Sequence, residues 1–326
     1  MKTKVYVYGL CDVFYDGYYI QGIKELYKEF EFNIAKFPKF NQGTFAFIVE
    51  KENYSKKIII DSKDSNQIHL AELEWCDVYG KVNCNEYHLP IESSRKIMAI
   101  GPSFGVRIWS LLKTLYYLFL NFIRFKNSIT NKREFVANYW RQYKRLQLKS
   151  YHLTQSSKNE VFFLNSIWKK ESETNKNRAL FIETCKNSPL LRFEGGFVAR
   201  SNGDNLGLDD LVYSKTIPLR LYIKKSKRSA FVFNTPAVLS CHGWKLAEFL
   251  ALGKAIITTS HRNKLPEVLV NEKHLMYVEN QSEINQAIEK LTTDVSFKRK
   301  LEVESRNYFD TYLTPCKVIS RLIEKK

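Results

Sequence analysis

The stretch Asn234–Val278, NTPAVLSCHGWKLAEFLALGKAIITTSHRNKLPEVLVNEKHLMYV, decides the fold. Within it, a glycine turn at Gly243 leads into an apolar helical run over Leu246–Leu252, and Gly253 ends that run. Ala255–Thr259 follows as a short apolar and β-branched segment, which is typical of a buried strand. A glycine turn, a helix and a buried strand in this order indicate an α/β domain.

Strands and helices alternate in the same way on both sides of this stretch. Strands are predicted at Lys4–Gly9, Phe45–Val49, Lys57–Ile60, Trp75–Val82, Lys96–Ile100, Glu160–Ile167, Leu221–Lys225 and Phe231–Phe233. Helices are predicted at Tyr19–Phe30, Asn177–Lys186, Glu283–Leu291, Val295–Phe309 and Pro315–Ile323. The polar, Ser-rich segment Lys149–Lys158 indicates a linker. The 326 residues therefore predict two α/β domains, over 1–155 and 156–312, followed by a C-terminal segment over 313–326.

The charge is the unusual feature of the composition. There are 51 Lys and Arg against 34 Asp and Glu, a formal net charge of +17. Residues 101–150 hold ten basic residues and one acid, Glu134, and so carry more than half of the excess. Such an excess favours an anionic partner, which could be a nucleic acid, anionic lipid or a phosphorylated ligand. The hydrophobic fraction of 44% excludes a disordered chain.

The basic segment contains two predicted helices, which lie within residues 105–149. In the first, Arg107–Phe125, polar residues recur every three or four positions and form one stripe among aromatic and aliphatic residues. Its longest uncharged run, Thr114–Ile123, is about half of the length that crosses a membrane. The helix therefore either lies in an anionic membrane surface or packs between layers with the polar stripe at its solvent edge. The second helix, Glu134–Leu148, carries a basic face.

Cysteine spacing indicates neither a metal site nor a disulfide framework. The six cysteines are scattered, without a C-x-x-C pair or a Cys/His group of zinc spacing, which favours a reduced, cytoplasmic setting. The N-terminal run Lys4–Gly9 is short and rich in tyrosine, which indicates a first strand rather than a signal peptide. We expect neither a metal nor a cofactor.

Five segments of Asn234–Val278 resemble the donor-binding half of GT-B glycosyltransferases, especially the group 1 family. They are Thr235-Pro236, His242-Gly243-Trp244-Lys245, Leu246-Ala247-Glu248, Gly253-Lys254-Ala255-Ile256-Ile257 and Leu265-Pro266-Glu267-Val268. The resemblance is clear over these 45 residues and loose over the rest of the second domain. It implies two Rossmann-like domains facing a cleft, and a C-terminal helix at Pro315–Ile323 that crosses back to the first domain.

The same resemblance implies a site for a nucleotide-sugar donor. N–H groups at a helix start suit a diphosphate, Lys245 would add a charged contact, and Glu248 could accept from ribose hydroxyls. The expected donor-binding residues are Lys169, Lys170, Arg178, Glu194, Gly195, His242, Gly243, Trp244, Lys245 and Glu248. For most of them the alternative is an ordinary role in packing or on the surface. The family has a further Glu eight positions before Glu248, where this chain has Ser240, so the stereochemical outcome stays open.

An inverting enzyme of this kind needs a base for the acceptor hydroxyl. Asp12 and Asp16, in the loop after the first strand, are the candidates, with turn formation as the alternative role. The sequence thus predicts a hexosyltransferase-type enzyme, peripheral at the cytoplasmic face of the membrane. Its acceptor would be a saccharide or lipid-linked, in surface polysaccharide or lipopolysaccharide synthesis. One alternative is a non-catalytic membrane-associated scaffold of GT-B type. The other is a nucleic-acid-binding protein, for which the sequence contains no recognised motif.

Overall fold

The computed structural model describes residues 3–41, 43–52, 54–85 and 95–325. Two compact units divide the chain. Unit 1 comprises Met1–Ser150, Lys264–Glu267 and Thr311–Lys326, and unit 2 comprises Tyr151–Asn263 and Val268–Asp310. Both units combine helices with sheets that are wholly or mainly parallel, which confirms the predicted α/β class.

Unit 1 is built on a mixed sheet. In its described part the strands are β1 (Lys4–Tyr8), β2 (Glu31–Asn33), β3 (Thr44–Lys51), β4 (Tyr54–Asp61), β5 (Val78–Lys81) and β6 (Ile97–Ala99). Their order is β2-β1-β3-β4-β5-β6, and β3 runs antiparallel to both of its neighbours while the other pairs are parallel. The carboxyl ends of β1, β2, β4, β5 and β6 therefore lie at one edge of the sheet, where α/β proteins place ligand-binding loops.

The helices of the first 150 residues are α1 (Gly17–Leu26), α2 (Leu70–Trp75), α3 (Leu111–Phe125) and α4 (Lys132–Lys144). Helix α1 ends four residues before the predicted end at Phe30, because the chain forms β2 and buries Phe32 beside Val7 of β1. Helix α3 begins at Leu111 rather than Arg107, because the Ser110 side chain caps it by accepting from the Lys113 N–H.

The middle of the polar stripe of α3 is turned inward, while Lys113 and Arg124 near its ends are exposed. Its central members Thr114 and Asn121 are buried, and the Asn121 Nδ2 donates to the Tyr139 hydroxyl of α4 at 2.8 Å. Large apolar side chains of α3 are exposed instead. This orientation contradicts the packing alternative, in which the stripe faced water. In the part of the chain that the structure describes, no helix is long and apolar enough to cross a membrane.

Unit 2 contains parallel strands throughout its described sheets. Its strands are β7 (Glu160–Ser166), β8 (Arg192–Val198), β9 (Val232–Asn234), β10 (Ile256–Thr258) and β11 (Met276–Tyr277). β7 pairs with β8, and β10 lies between β9 and β11. Its helices are α5 (Ser172–Asn187), α6 (Leu219–Arg228), α7 (Trp244–Leu252), α8 (Gln281–Thr293) and α9 (Val295–Tyr308). The rings of Phe181 on α5 and Phe233 on β9 stack 4.2 Å apart in the core.

One predicted strand is wrong. Leu221–Lys225 lies inside α6, whose buried residues Ile223 and Ser226 are three positions apart, as on one side of a helix. By contrast, α7 has the predicted form. It starts after Gly243 and ends at Gly253, whose φ of +60° gives the left-handed conformation that closes many helices.

The C-terminal helix α10 (Pro315–Glu324) belongs to unit 1, as the fold prediction had it. Thr314 caps it, and Pro315 occupies the first turn, where a proline costs no hydrogen bond. It packs directly on α1, since a Cβ at Gly22 would stand 2.3 Å from the Pro315 carbonyl oxygen. The Tyr18 hydroxyl of α1 also donates to the Leu313 carbonyl.

Candidate functional site

A cavity of about 320 Å³ opens at the carboxyl edge of β9, β10 and β11 in unit 2. Its walls come from the start of α5 and from the segments that follow these strands: Glu173, Thr174, Asn177, Pro236, Ser240, Thr259, Ser260, Arg262, Val278 and Glu279. The volume lies at the lower end of the range of about 300 to 1,000 Å³ that is usual for small-molecule sites. Its place follows the general rule that parallel sheets bind ligands beyond the carboxyl ends of their strands.

The turn between β9 and α7 forms one wall of this cavity. Leu239 and Ser240 have positive φ angles, of 55° and 58°, which are uncommon for residues with side chains. Besides its backbone hydrogen bonds, side chains hold the turn: the Leu239 N–H donates to the Glu171 carboxylate at 2.9 Å, and Asn263 Nδ2 donates to the Ser240 carbonyl at 3.0 Å. The position where the resembling family has a Glu is thus held firmly at the cavity wall, but it offers a hydroxyl.

Helix α7 begins beside this turn. Gly243 is its N-cap, with φ −73° and ψ 159°, and it has no side chain with which to cap the first N–H groups. Trp244 is the first helical residue and is partly exposed. This is the arrangement that the resemblance predicts for a diphosphate, and the roles of Gly243 and Trp244 stay predictions.

Lys245 points into unit 2. Its ammonium donates to the Leu164 carbonyl of β7 and, at 2.9 Å, to the Tyr222 hydroxyl of α6. Burial lowers the pKa of Lys245 to about 7, although the charge of the buried Glu248 acts in the opposite direction. Glu248 is therefore buried and Lys245 is partly exposed with its ammonium bonded inside unit 2, and neither side chain lines the cavity.

Arg178 is also enclosed. Its guanidinium donates to Thr235 Oγ1 from Nε and to the Ser166 carbonyl from Nη1, both at 2.9 Å. Burial lowers its pKa to about 10. Arg178 therefore ties the carboxyl ends of β7 and β9 together, directly behind the turn that forms the cavity wall, and its expected role as a phosphate ligand stays a prediction.

Glu194 and Gly195 lie within β8 rather than at its carboxyl end. The Glu194 carboxylate accepts from Tyr213 and Lys225, and these bonds lower its pKa. Gly195 has φ +136°, and a Cβ there would stand 1.7 Å from the Phe163 carbonyl oxygen of β7. The glycine thus permits a close approach between two strands of the protein itself, which gives it a structural reason to be there.

Lys169 and Lys170 are exposed immediately after β7. The ends of β7 and β8 border a second hollow, of about 430 Å³, lined by Ser166, Ile167 and the segment 198–202. The two lysines therefore occupy the edge of the sheet that the sequence predicted for them. They are the expected donor-binding cations whose side chains reach solvent.

His242 is buried, with its Nε2 3.1 Å from the Asn263 carbonyl oxygen. It neighbours His261, whose Nδ1 lies 3.2 Å from the Tyr277 hydroxyl. Burial, together with the nearby His242, lowers the pKa of His261 to about 3, so its imidazole is neutral at ordinary pH. A neutral ring among polar groups can orient other side chains but carries no charge for a phosphate.

Sequence reasoning missed the residues that line the cavity after β10 and β11. Arg262 and Glu279 are the main examples, and Arg262 forms an exposed ion pair of 3.3 Å with Glu173. A usable signal was present, since each follows a short buried strand by a few residues, at the edge where ligands bind. Among the described residues, no group of three or more His, Cys, Asp or Glu side chains could hold a metal ion.

In unit 1, Asp12 and Asp16 come together in the loop between β1 and α1. Asp16 Oδ2 accepts from the Asp12 N–H at 2.9 Å, and Asp12 Oδ2 accepts from Asn138 Nδ2 of α4 at 2.7 Å. Burial raises the pKa of both carboxyls, and it raises the pKa of Asp16 well above its usual range. The negative charge of Asp12 raises the pKa of Asp16 further. Raised carboxyl pKa values are common at acid–base sites, and the Asp12 Oδ1 also accepts from the N–H groups of Phe14 and Tyr15, as a turn-forming aspartate does.

No protein-family model matches the sequence, and no curated protein matches it. Similar solved structures include the C-terminal domain of a group 1 family glycosyl transferase (LpcC) from Francisella tularensis, with 17% identity and a TM-score of 0.35 over 50% of this chain and 96% of that chain. Another is a glycosylation associate protein (Gap123) complex from Streptococcus agalactiae, with 11% identity and a TM-score of 0.43; the match covers 82% of this chain but only 49% of that one. A third is Alr3699/HepE from Anabaena in complex with UDP-glucose, with 11% identity and a TM-score of 0.39 over 78% of this chain and 79% of that chain. Glycosyltransferases are thus among the structures that this chain resembles.

Proposed function

We propose that this chain is a glycosyltransferase of hexosyltransferase type. It would move a sugar from a nucleotide-sugar donor to a saccharide or lipid-linked acceptor, in the synthesis of surface polysaccharide or lipopolysaccharide. The observation that carries the proposal is the cavity at the carboxyl edge of unit 2, with a wall that leads through Ser240 and Gly243 into α7. A half-open polar pocket is thus followed along the chain by a helix N-terminus that has a glycine as its N-cap.

The residues around the cavity suit both parts of a sugar nucleotide. The guanidinium of Arg262 in the cavity wall offers positive charge for the diphosphate, and so does the N-terminus of α7, which follows Ser240 along the chain. The carboxylates of Glu173 and Glu279 can accept hydrogen bonds from sugar hydroxyls. The side-chain and helix charges could thus stabilise the leaving diphosphate, and the proposal includes neither a metal nor a cofactor.

The reaction has one bond to form and one to break. The acceptor hydroxyl oxygen attacks the anomeric carbon, the bond from that carbon to the diphosphate oxygen breaks, and the nucleoside diphosphate leaves. In an inverting reaction the hydroxyl proton passes to a carboxylate, for which we propose Asp12 or Asp16. A raised pKa makes either carboxylate a stronger base than an exposed aspartate.

We further propose that the protein works at the cytoplasmic face of a membrane, to which residues 105–149 attach it. A lipid-linked acceptor would be met there. The basic excess of this segment suits anionic headgroups.

Ser240 favours one second candidate, a protein that binds nucleotide sugars without transferring the sugar. The side chain at the cavity wall is a hydroxyl where the resembling family has a carboxylate. Such a protein would act as a membrane-associated scaffold.

The test is a calorimetric titration of the full chain with UDP-, GDP-, CDP- and dTDP-sugars. It is followed by an assay for release of the nucleoside diphosphate, with and without membrane lipid extracts as acceptor. Binding with turnover supports a glycosyltransferase, and binding without turnover supports the scaffold. Absence of binding to every sugar nucleotide would refute both, and salt-sensitive retention of RNA or DNA in that case would favour a nucleic-acid-binding protein.

A further inference from the structure

Large apolar side chains are exposed on α3 and α4 of unit 1. The apolar face, as we name it, consists of Leu111, Leu112, Leu115, Tyr116, Phe119 and Ile123 of α3 with Val136 and Trp140 of α4. Leu112 is 79% exposed and Phe119 is 69% exposed. Isolated exposed apolar residues are normal on proteins, but a helix with this many on one side marks a contact surface.

The inward side of α3 shows that this orientation is built into the packing. Thr114 and Asn121 are buried, the Thr114 hydroxyl donates to the Ser110 carbonyl, and Asn121 binds Tyr139 of α4. Phe125, at the end of α3, is also buried against unit 1, where a Cβ on Gly9 would stand 2.4 Å from its ring. The helix cannot turn its leucines inward without breaking the bond from Asn121 to Tyr139 and exposing Phe125.

Exposed cations lie on or next to the same two helices. They are Lys113, Arg124 and Lys126 on or after α3, and Lys132, Arg133, Arg141 and Lys144 on α4. Trp140 lies at the rim with the Lys144 ammonium 5.2 Å from its ring centre. Aliphatic side chains in the middle, with tryptophan, tyrosine and lysine around them, are typical of helices that lie in the boundary layer of a bilayer.

We propose that the apolar face inserts into the boundary layer of an anionic bilayer, with Leu112 and Phe119 deepest and the exposed cations on the lipid phosphates. Charge decides between this occupant and a second copy of the chain. A symmetric dimer through the face would bring two strongly basic surfaces together, whereas anionic lipid would neutralise one. The inference specifies the membrane partner of the proposed function, but it does not depend on the transfer chemistry.

The test measures binding of the full chain to vesicles without any sugar nucleotide, so its outcome is independent of donor binding. Flotation with phosphatidylcholine vesicles containing 30% phosphatidylglycerol should recover the wild-type protein, and pure phosphatidylcholine should recover much less. The double variant Leu112→Ser with Phe119→Ser should lose at least about 100-fold in partitioning, since each side chain loses a large apolar burial. The matched control replaces Leu70 and Val295, which are 61% and 60% exposed elsewhere, by Ser and should bind as the wild type does.

Charge reversal separates the lipid from other partners. Lys132→Glu with Arg133→Glu should weaken binding to anionic vesicles by about 10-fold or more, whereas Lys28→Glu with Lys300→Glu, exposed elsewhere, should change it by less than about threefold. As a measurement on a single residue, brominated lipid should quench wild-type fluorescence more than that of Trp140→Phe. Equal vesicle binding by the wild type and the Leu112/Phe119 variant would overturn the proposal. So would a wild-type dimer that the same variant dissociates, without vesicle binding by either protein.

Discussion

Placing a negative charge at the start of α7 tests the donor site most directly. Gly243 has the extended φ and ψ of an ordinary N-cap, and a Cβ there meets only the Ala237 Cβ, at 3.4 Å. Gly243→Asp therefore fits without strain. Aspartate is also a good N-cap and changes helix stability by only a few tenths of a kcal/mol relative to glycine. The variant should fold as the wild type does, which few changes at a candidate site allow.

The expected loss of donor affinity follows from charge. Two unit charges about 4 Å apart repel by about 4 kcal/mol at an effective dielectric constant of about 20. Gly243 is partly exposed, so we discount this by half. The remaining ~2 kcal/mol corresponds to a dissociation constant about 30-fold higher. The Asp side chain also competes for the N–H groups that a diphosphate would use.

Calorimetric titration with the best sugar nucleotide of the panel is the assay, and thermal unfolding checks the fold. Gly243→Asn has the same shape without the charge and should lose less than about fivefold, through the competing cap alone. Gly243→Ala adds only the Cβ and should bind nearly as the wild type does. If Gly243→Asp binds a sugar nucleotide as tightly as Gly243→Asn, the diphosphate does not lie at the N-terminus of α7.

Three further predictions concern groups inside each unit. Gly195→Ala should lower the free energy of unfolding by more than about 4 kcal/mol in thermal or urea unfolding, because the new Cβ overlaps a carbonyl of β7. The control Gly203→Ala has open space around it and should lower the free energy of unfolding by about 1 kcal/mol. A similarly small loss of stability in Gly195→Ala would show that the strands can separate there. Because the pKa of Asp16 is raised in the folded state, stability should fall as the pH rises above the ordinary range of an aspartate, and Asp16→Asn should remove this slope in urea titrations at several pH values. In an inverting enzyme, replacing the base by Asn, at Asp12 or Asp16, should also lower turnover by about 10²- to 10⁴-fold. Wild-type turnover in one of these variants would exclude that residue as the base. Because the pKa of Lys245 is lowered to about 7, stability should rise as the pH rises from 7 to the ordinary range of a lysine. Lys245→Met should be more stable than the wild type at about pH 6, and the difference in stability should shrink toward about pH 10. Unchanged donor affinity in that variant would show that Lys245 serves packing rather than donor binding.

Two of the elements that the sequence predicted correctly, α7 and α10, have strong local signals at their ends. Helix α7 has a glycine before it and Gly253 after it, and α10 has Thr314 and Pro315 at its start. Such residues act through their own backbone preferences and depend little on the rest of the chain. The strand predicted at Leu221–Lys225 lacks such limits, because LYIKK is as suited to a strand as to a helix. Packing against the rest of unit 2 favours the helix α6 over a strand at these residues.

The candidate site was less predictable for a different reason. A cation near the carboxyl edge of a sheet can bind a phosphate or can join the ends of the strands, and the sequence looks the same in both cases. Arg178 and Lys245 do the second in this structure, with carbonyl oxygens as their partners. The cavity wall depends on where three separate loops meet, so Arg262 and Glu279 carry no motif that could be recognised.

The direction in which α3 faces was also beyond the sequence. A helix with polar residues on one side and apolar residues on the other can turn either side inward, and periodicity is identical in the two cases. The buried bond between Asn121 and Tyr139 decides the matter, because it joins two residues 18 positions apart on different helices.

The hydrogen bond from Asn138 to Asp12 links α4 directly to the loop that carries a candidate base. Asn138 stands on α4 beside the apolar face, and Asp12 is one of the two candidate bases. If α4 rests on a bilayer, this bond helps to set the height of Asp12 above the lipid. Unit 1 would then accept only those membrane-bound sugars whose reactive hydroxyl stands at that height. The length of the growing saccharide, as well as its chemistry, would select the acceptor.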